Sequence, residues 1–559
     1  MTRRTGRLRE ALGAFAANWR NVSLRRAQLS FFAAWAAECA FTVALSIVAY
    51  DAGGAIAVGV VGLVTVLPSA VLTPLLAPLA DRGRRERVLV IVSAARGTAM
   101  GVAALIVALS GPVVAVYAVA AASSVAASLF RPAHSALLPG LCRTGHELAG
   151  ANVVRGMLDS LASLIGPLVA AVLLALADPS AVLAVAAGSA FCAALLVVNL
   201  RYESAPSGRA AAGPVRMRSL LTEVVEGVRT VTDNRGLVLI LLLVAAQTFT
   251  RGALTVFSVV VAIELLDMGD SGTGALMSAF GVGAVFGSLA ASMLVSTWRL
   301  GAWFAIGVAV WGAPIALIGV FPQQTPALLL LAAVGVANAL IDAGGFTLIG
   351  RLTPDAVMAR VFGLLETMVA VSIGVGSVVT SALIEGFGIR PALIIVGVLC
   401  PLLAVASWWR IRRIDRTVQD LDGEIGLLKR VPMLDPLPLP VIELLARGLE
   451  RVEVGAGATV FAQGEVGDRY YVIESGEIDV IGDGRHITTL GAGEGFGEIA
   501  LLRRTPRTAT TRARTAVRLR ALTAERFTAS VLGFSSSAVV AEEGVDGRLG
   551  RYRPAESHD

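Results

Sequence analysis

Residues 496–510 read Phe-Gly-Glu-Ile-Ala-Leu-Leu-Arg-Arg-Thr-Pro-Arg-Thr-Ala-Thr. Gly497 leads into a short apolar helix, and the free N–H groups at the start of a helix can face an anion. Nine residues past Glu498, Arg507 follows a proline and offers the planar guanidinium fork that suits a phosphate. Gly497, Glu498, Ile499, Ala500, Arg507 and Thr508 together form a candidate cradle for a phosphate-bearing ligand.

A second set of chemically able residues lies inside long apolar stretches. A charge at mid-membrane costs about 2.5–3.5 kcal/mol on insertion scales, so each one calls for a reason. Glu38 can carry a proton or a cation, or pair with an arginine such as Arg96 or Arg251. Asp342 sits one helical turn from Asn338 and can line a cavity or serve a structural hydrogen bond. Arg251, one turn from Gln247, suits an anionic group of a substrate. Asp159 and Glu366 lie nearer the ends of their stretches and read as helix-terminal ion pairs.

The elements that must hold these residues follow from composition. Of 559 residues 55% are hydrophobic and only 16% charged, with a mean hydropathy of +0.74, which puts most of the chain in lipid. The net charge of +6 comes mainly from arginines in short loops, so topology explains it and nucleic acid is not an expected partner. Cys39, Cys142, Cys192 and Cys400 form no CxxC, and the four histidines are scattered, which argues against disulfides and metal sites. The basic N-terminus precedes an apolar run too long for a signal peptide, and it reads as a retained helix.

Twelve segments are long enough to cross a bilayer: about 29–50, 55–79, 88–110, 112–131, 150–177, 180–200, 236–264, 272–296, 300–320, 326–350, 360–384 and 390–409. Arginine fills the N-terminus, the loops 80–87 and 131–149, the connector 201–235 and the segment after the last span. The alternate loops carry Asp51, Asp178, Glu264, Asp267 and Asp270, with Arg390 the basic exception. The positive-inside rule then places both termini in the cytoplasm of a multi-pass protein of the cell membrane.

Six spans, a long connector and six more resemble the major facilitator superfamily, whose halves are parallel repeats. The loop 77–89, Ala-Pro-Leu-Ala-Asp-Arg-Gly-Arg-Arg-Glu-Arg-Val-Leu, resembles that superfamily's signature between spans two and three, with Ala77 where the family usually has Gly. There Asp81 and Arg82 can pin neighbouring helices in one state and release them in another. Glu38-Cys-Ala-Phe-Thr-Val-Ala-Leu, Ala95-Arg-Gly-Thr and Ile165-Gly-Pro-Leu-Val-Ala-Ala resemble the branch of enterobactin exporters, and Gly166-Pro167 is similar to a motif of proton-driven exporters. The resemblance implies transport of a small molecule with protons as the coupling ion; together with the charges inside the spans, it makes Glu38, Asp81, Arg82, Arg96, Arg251 and Asp342 the transport or coupling candidates.

Beyond Arg410 the composition changes. Ile411, Ile414, Val418, Leu421, Ile425 and Leu428 repeat in steps of three and four, which predicts that the last span runs on as an amphipathic helix. A proline-rich break at 431–440 and a short helix at 440–449 follow. Glycine-punctuated strands are expected at 452–454, 459–463, 470–474, 477–481, 486–490, 508–515 and 517–523, a small β-roll. A helix over 525–532 and a weak one over 535–549 would form a lid. Gly464-Glu-Val-Gly-Asp-Arg-Tyr-Tyr-Val-Ile-Glu-Ser-Gly476 and the cradle resemble cyclic-nucleotide-binding domains. The resemblance implies that Glu498 accepts from a ribose 2′-hydroxyl, that Arg507 pairs with the cyclic phosphate, and that backbone N–H groups at 497–500 complete the cradle. Thr508 stands where relatives carry Ala or a hydroxyl, and cAMP is favoured over cGMP.

The expected architecture is an all-α membrane domain of twelve helices in two six-helix halves, joined to a cytoplasmic β-roll with flanking helices. Its expected segments are a basic N-terminus (1–28), halves at 29–200 and 236–409 around a connector (201–235), a linker helix (410–436), the nucleotide domain (437–533) and a tail (534–559). No enzymatic constellation, cofactor or metal is expected. The expected function is a secondary transporter, a proton-coupled exporter regulated by cyclic nucleotide; the alternative is a membrane-anchored nucleotide receptor without transport. The oligomeric state stays open.

Overall fold

In the computed structural model the described residues are 20–545, apart from 83, 143–144, 201–228, 230, 233, 295–299, 354–356, 438, 504, 533–536 and 538–539. The first nineteen residues, most of the connector, the loop at 296–299 and the tail beyond 545 therefore lie outside the described residues. The chain divides into two compact units, Met1–Arg412 and Arg413–Asp559.

The first unit is helical, because backbone donors and acceptors in lipid must be satisfied within their own segment. Its helices are α1 (Val22–Arg82), α2 (Arg85–Ala108), α3 (Val113–Leu141), α4 (Gly145–Leu176), α5 (Pro179–Val197), α6 (Arg235–Val260, continued by a π turn Val261–Leu265), α7 (Gly269–Leu294), α8 (Leu300–Val320), α9 (Gln324–Leu352), α10 (Met358–Phe387) and α11 (Ile389–Leu428). Eleven of these segments are long and apolar enough to cross a membrane. The first of them, 49 residues of α1, would be about 74 Å long if straight, more than twice the hydrocarbon thickness. It breaks at Gly53–Gly54, where Gly54 has φ +62 and ψ −153, so α1 holds two spans and the bundle has twelve among the described residues.

Local chemistry sets several helix starts. Asp178 caps α5, accepting from Ala181 N, with Pro179 at the first helical position. Asn234 caps α6, its side chain accepting from the N–H groups of Gly236 and Leu237. One expectation fails: residues 131–141 were read as loop, yet α3 continues through Pro132 and Pro139 to Leu141. Phe130, Leu137, Leu138 and Leu141 pack against Leu24, Phe31 and Leu89, and that burial overrides the prolines' helix-breaking tendency.

The two halves meet most closely toward the end of the bundle that carries Asp51, Asp178 and Asp270. Gly59 and Gly62 lie against Ser381 and Ser377, where a β-carbon would come within 2.2 and 2.6 Å of the serine hydroxyls. Ser381 Oγ donates to Ala55 O at 2.7 Å and Ser377 Oγ to Gly59 O at 3.2 Å. Each hydroxyl also reaches a carbonyl of its own helix, Ser377 to Gly374 O at 2.8 Å and Ser381 to Ser377 O at 3.0 Å. At the same end, Tyr50 Oη donates to Glu264 Oε1 at 2.5 Å.

The second unit begins within α11, followed by turns and α12 (Leu439–Arg447). Eight strands follow: β1 (Glu450–Val454), β2 (Thr459–Phe461), β3 (Arg469–Ser475), β4 (Ile478–Gly482), β5 (Arg485–Leu490), β6 (Gly495–Phe496), β7 (Thr510–Ala513) and β8 (Val517–Thr523). Helix α13 (Glu498–Arg503) separates β6 from β7, and α14 (Ala524–Leu532) follows β8. The strands form two antiparallel sheets, ordered β1-β8-β3-β6 and β2-β7-β4-β5. Ile473, Val480, Leu490, Phe496 and Leu519 fill the space between them. A second core joins Ile425 and Leu428 at the end of α11 to Leu501 of α13, Phe527 and Val531 of α14, and Ala541.

The kink at Gly54 can be tested. A β-carbon there would touch nothing within 4 Å, so any cost is backbone strain at positive φ. Gly54→Ala is expected to destabilise the folded protein by about 1–3 kcal/mol. Gly188→Ala, in the exposed face of α5 with equal free space, should be neutral or stabilising by up to about 1 kcal/mol. Thermal melting of both variants in the same detergent checks the opposite signs.

Candidate functional site

The phosphate-cradle residues converge. Gly497 takes φ +90, a backbone conformation suited to glycine, and turns the chain from β6 directly into α13. Glu498, 1% exposed, opens the helix, and Ile499 and Ala500 are buried behind it. Arg507 is 3% exposed. Its Nη1 donates to Gly497 O at 2.9 Å and its Nη2 to Arg469 O at 2.7 Å. Its backbone N–H donates to Glu465 O at 2.8 Å, and its carbonyl accepts from Gly464 N at 2.9 Å. The guanidinium lies 4.0 Å over the Phe461 ring and 3.9 Å from Asp468 Oδ1. Burial pushes the Arg507 guanidinium below its ordinary range, opposed by Tyr471, Asp468, Glu465 and Glu498. An arginine remains charged under such a shift.

Gly497, Glu498, Ile499, Ala500, Arg507 and Thr508 all line one cavity of about 360 Å³, within the size range of small-ligand sites. Its other wall is apolar, with Val480, Ile487 and Leu490. The cavity is therefore amphipathic, with a cation and a carboxylate at one side and a surface for a flat apolar group at the other. Residues 540–545 are helical, and Glu543 and Gly544 join the lining. Sequence reasoning missed Phe461, the surface on which Arg507 rests. It lies 46 positions earlier on another strand, and no local spacing signals such a contact.

Within the membrane unit the candidate charges separate into pairs. Arg96, 2% exposed, forms an ion pair with Glu38, whose side chain is 22% exposed. Of the two arginines considered for Glu38, Arg96 is the partner. Arg131 pairs with Asp159 and stacks 4.0 Å over Trp35. The helix-terminal reading of Asp159 and Glu366 needs correction: Asp159 lies in the middle of α4, because the helix starts as early as Gly145. Glu366 is exposed on α10 with no ion pair among the described residues. Asn338 Nδ2 donates to Asp342 Oδ2 at 2.9 Å. Asp342 is accessible to solvent and lies within electrostatic range of Arg251 and of the Arg131–Asp159 pair. Asp81 and Arg82 end α1, and their side chains lie outside the described residues.

The Major Facilitator Superfamily profile matches residues 28–269 and 239–461, and the cyclic nucleotide-binding domain profile matches residues 451–531. The chain is 39% identical over 95 residues to a cAMP-dependent protein kinase regulatory subunit of Schizosaccharomyces pombe, covering 17% of this chain and 23% of that one. It is 38% identical over 116 residues to the corresponding subunit of Yarrowia lipolytica, covering 20% of this chain and 31% of the relative. The chain thus spans less than a third of the length of either relative. Among solved structures, the crystal structure of the nucleoside transporter NupG aligns with a TM-score of 0.58 at 14% identity, covering 70% of this chain and all of NupG. That likeness speaks to fold alone.

Two substitutions separate the contributions at the cradle. Removing one partner of a buried charge-assisted pair costs about 2–5 kcal/mol, so Arg507→Ala should weaken cyclic-nucleotide binding by roughly 30-fold or more. Phe461→Leu keeps an apolar side chain in the cavity lining while removing the cation–π support, about 0.5–2 kcal/mol, and should weaken binding by roughly 2–30-fold. Calorimetric titration of the full-length protein with cAMP checks the order.

Proposed function

The chain belongs to the Major Facilitator Superfamily and carries a cyclic nucleotide-binding domain toward its C-terminal end, and on that premise we propose that it is a cyclic-nucleotide-regulated secondary transporter. In this reading it exports a small molecule in exchange for protons and answers to a nucleotide bound on the cytosolic side. The observation that carries the reading is the cavity with Glu498 and Arg507 at its polar side, in the same chain as a twelve-span bundle.

The nucleotide fits by chemistry. A cyclic phosphate brings one delocalised negative charge for the Arg507 fork and the N–H groups that open α13. The ribose 2′-hydroxyl donates to Glu498, and the base lies against Val480, Ile487 and Leu490. cAMP is favoured over cGMP, and Thr508 in the lining leaves the site a hydroxyl that tolerates guanine.

For coupling, Glu38 is the proton carrier. Its carboxylate is partly accessible while its partner Arg96 is enclosed. Protonation of Glu38 releases Arg96, which can then bias the arrangement of α1 and α2. The arginine-rich loops support cytoplasmic termini in the cell membrane.

Reconstituted flux tests the reading. In proteoliposomes with a pH gradient, transport by the parent should change when cAMP is supplied on the side of the C-terminal unit, and the change should vanish in Arg507→Ala. Glu38→Gln should abolish flux driven by the pH gradient while leaving substrate exchange across the membrane. A parent with nucleotide binding and no flux of any compound would instead be a receptor.

A further inference from the structure

Helices α6 and α9 run antiparallel in a register fixed at three points. Asn234 Nδ2 donates to Leu352 O at 3.2 Å at one end, and Gln324 Nε2 to Leu266 O at 2.9 Å at the other. Between them, a β-carbon at Gly345 would lie 3.9 Å from Val244 Cγ2. Counting three residues from that contact brings Gln247 level with Asp342, and counting seven brings Arg251 level with Asn338. Val244, Gln247 and Arg251 share one face of α6, and Gly345, Asp342 and Asn338 share one face of α9, by the three- and four-residue spacing of a helix.

The two faces are chemically opposite. From α6 come two donors one turn apart. Gln247 Nε2 is buried without a hydrogen-bond partner, in a residue 3% exposed. The Arg251 guanidinium is solvent-accessible and makes no hydrogen bond or ion pair among the described residues. From α9 come two acceptors one turn apart, the Asp342 carboxylate and Asn338 Oδ1, the latter buried without a partner. Two other charged contacts between helices of the bundle are closed pairs, Glu38 with Arg96 and Arg131 with Asp159. Here donors and acceptors face one another at matching levels, and the charged pair stays apart.

We propose that this donor face and acceptor face form a binding site for an amphoteric small molecule, one that carries a carboxylate and a protonated amine. The carboxylate lies between Arg251 and Gln247, which supply a charge-assisted fork and an amide donor. The ammonium lies between Asp342 and Asn338, whose oxygens only accept from it. A purely anionic guest brings no positive charge for Asp342, and a purely cationic guest brings no negative charge for Arg251. The zwitterion satisfies both. The proposal rests on the transport reading, as it names the class of molecule carried.

The test uses the full-length protein in lipid nanodiscs and the ω-amino acids from glycine to 6-aminohexanoate as probes. Each is compared with the carboxylic acid and the amine of the same chain length, by calorimetry and by ligand-induced thermal stabilisation. At least one zwitterion should bind about tenfold or more tighter than either counterpart, a difference of about 1.4 kcal/mol. Arg251→Gln should reduce that zwitterion to the affinity of its amine, and Asp342→Asn to that of its acid. Failure of every zwitterion to bind, or acids or amines binding as tightly in the parent, overturns the site. Zwitterion binding without flux in proteoliposomes would keep the site and remove the transport reading. Flux of singly charged compounds without zwitterion binding would remove the site alone.

Discussion

A charge withdrawn from water must be met by the protein itself, and both units of this chain are organised around that demand. In the bundle, Glu38 with Arg96 and Arg131 with Asp159 bring the opposite charges of different helices together. In the β-roll, Arg507 is held by two backbone carbonyls and the face of Phe461. Carbonyls and a ring face offset only part of a full positive charge, which leaves Arg507 suited to an anion. A fully formed carboxylate pair in that position would neutralise the site and weaken its attraction for phosphate. The same low-dielectric surroundings that make an unmatched charge costly make a matched one strong.

The sequence carried most of the architecture because its dominant signals are local. Apolar length identifies the spans, and the alternation of glycine with β-branched and aromatic residues identifies the strands. Neither signal reports what comes from afar. Helix α3 runs past Arg131 because Leu137, Leu138 and Leu141 are buried against residues of α1 and α2, a contact more than a hundred positions away for Leu24. The short strand β6 escaped notice because two residues, Gly495 and Phe496, carry no periodicity. Of the cradle, Glu498 and Arg507 were legible through their spacing, whereas Phe461 was not, since its relation to Arg507 exists only once β2 is paired with β7. Glu38 stood out as a charge in an apolar run, but only packing could choose Arg96 over Arg251.

The cradle also has a mechanical setting. Leu501 on the helix that begins with Glu498 shares a core with Phe527 of α14, Ala541, and Ile425 and Leu428 at the end of α11. Arg520 on β8 pairs with Glu424 of α11 at 2.8 Å and with Glu474 of β3 at 2.9 Å. Under the proposed regulation, a shift of α13 on ligand contact would act on the same close-packed interior that holds the last turn of α11, and such interiors transmit displacement rather than absorb it.

The serines between the halves have a thermodynamic consequence of their own. Ser377 and Ser381 each reach one carbonyl across the interface and another in their own helix. When the halves part, each hydroxyl can rotate wholly onto its own helix, so no donor is orphaned in a medium without water. The small residues opposite them, Gly59 and Gly62, leave no interlocked side chains to disengage. Separation at this point gives up close packing and the Tyr50–Glu264 hydrogen bond at the same end, while each serine keeps a partner in its own helix. A contact that leaves no hydroxyl without an acceptor on either side lowers the cost of parting the halves, as an alternating cycle would require of a surface broken and remade on every turnover.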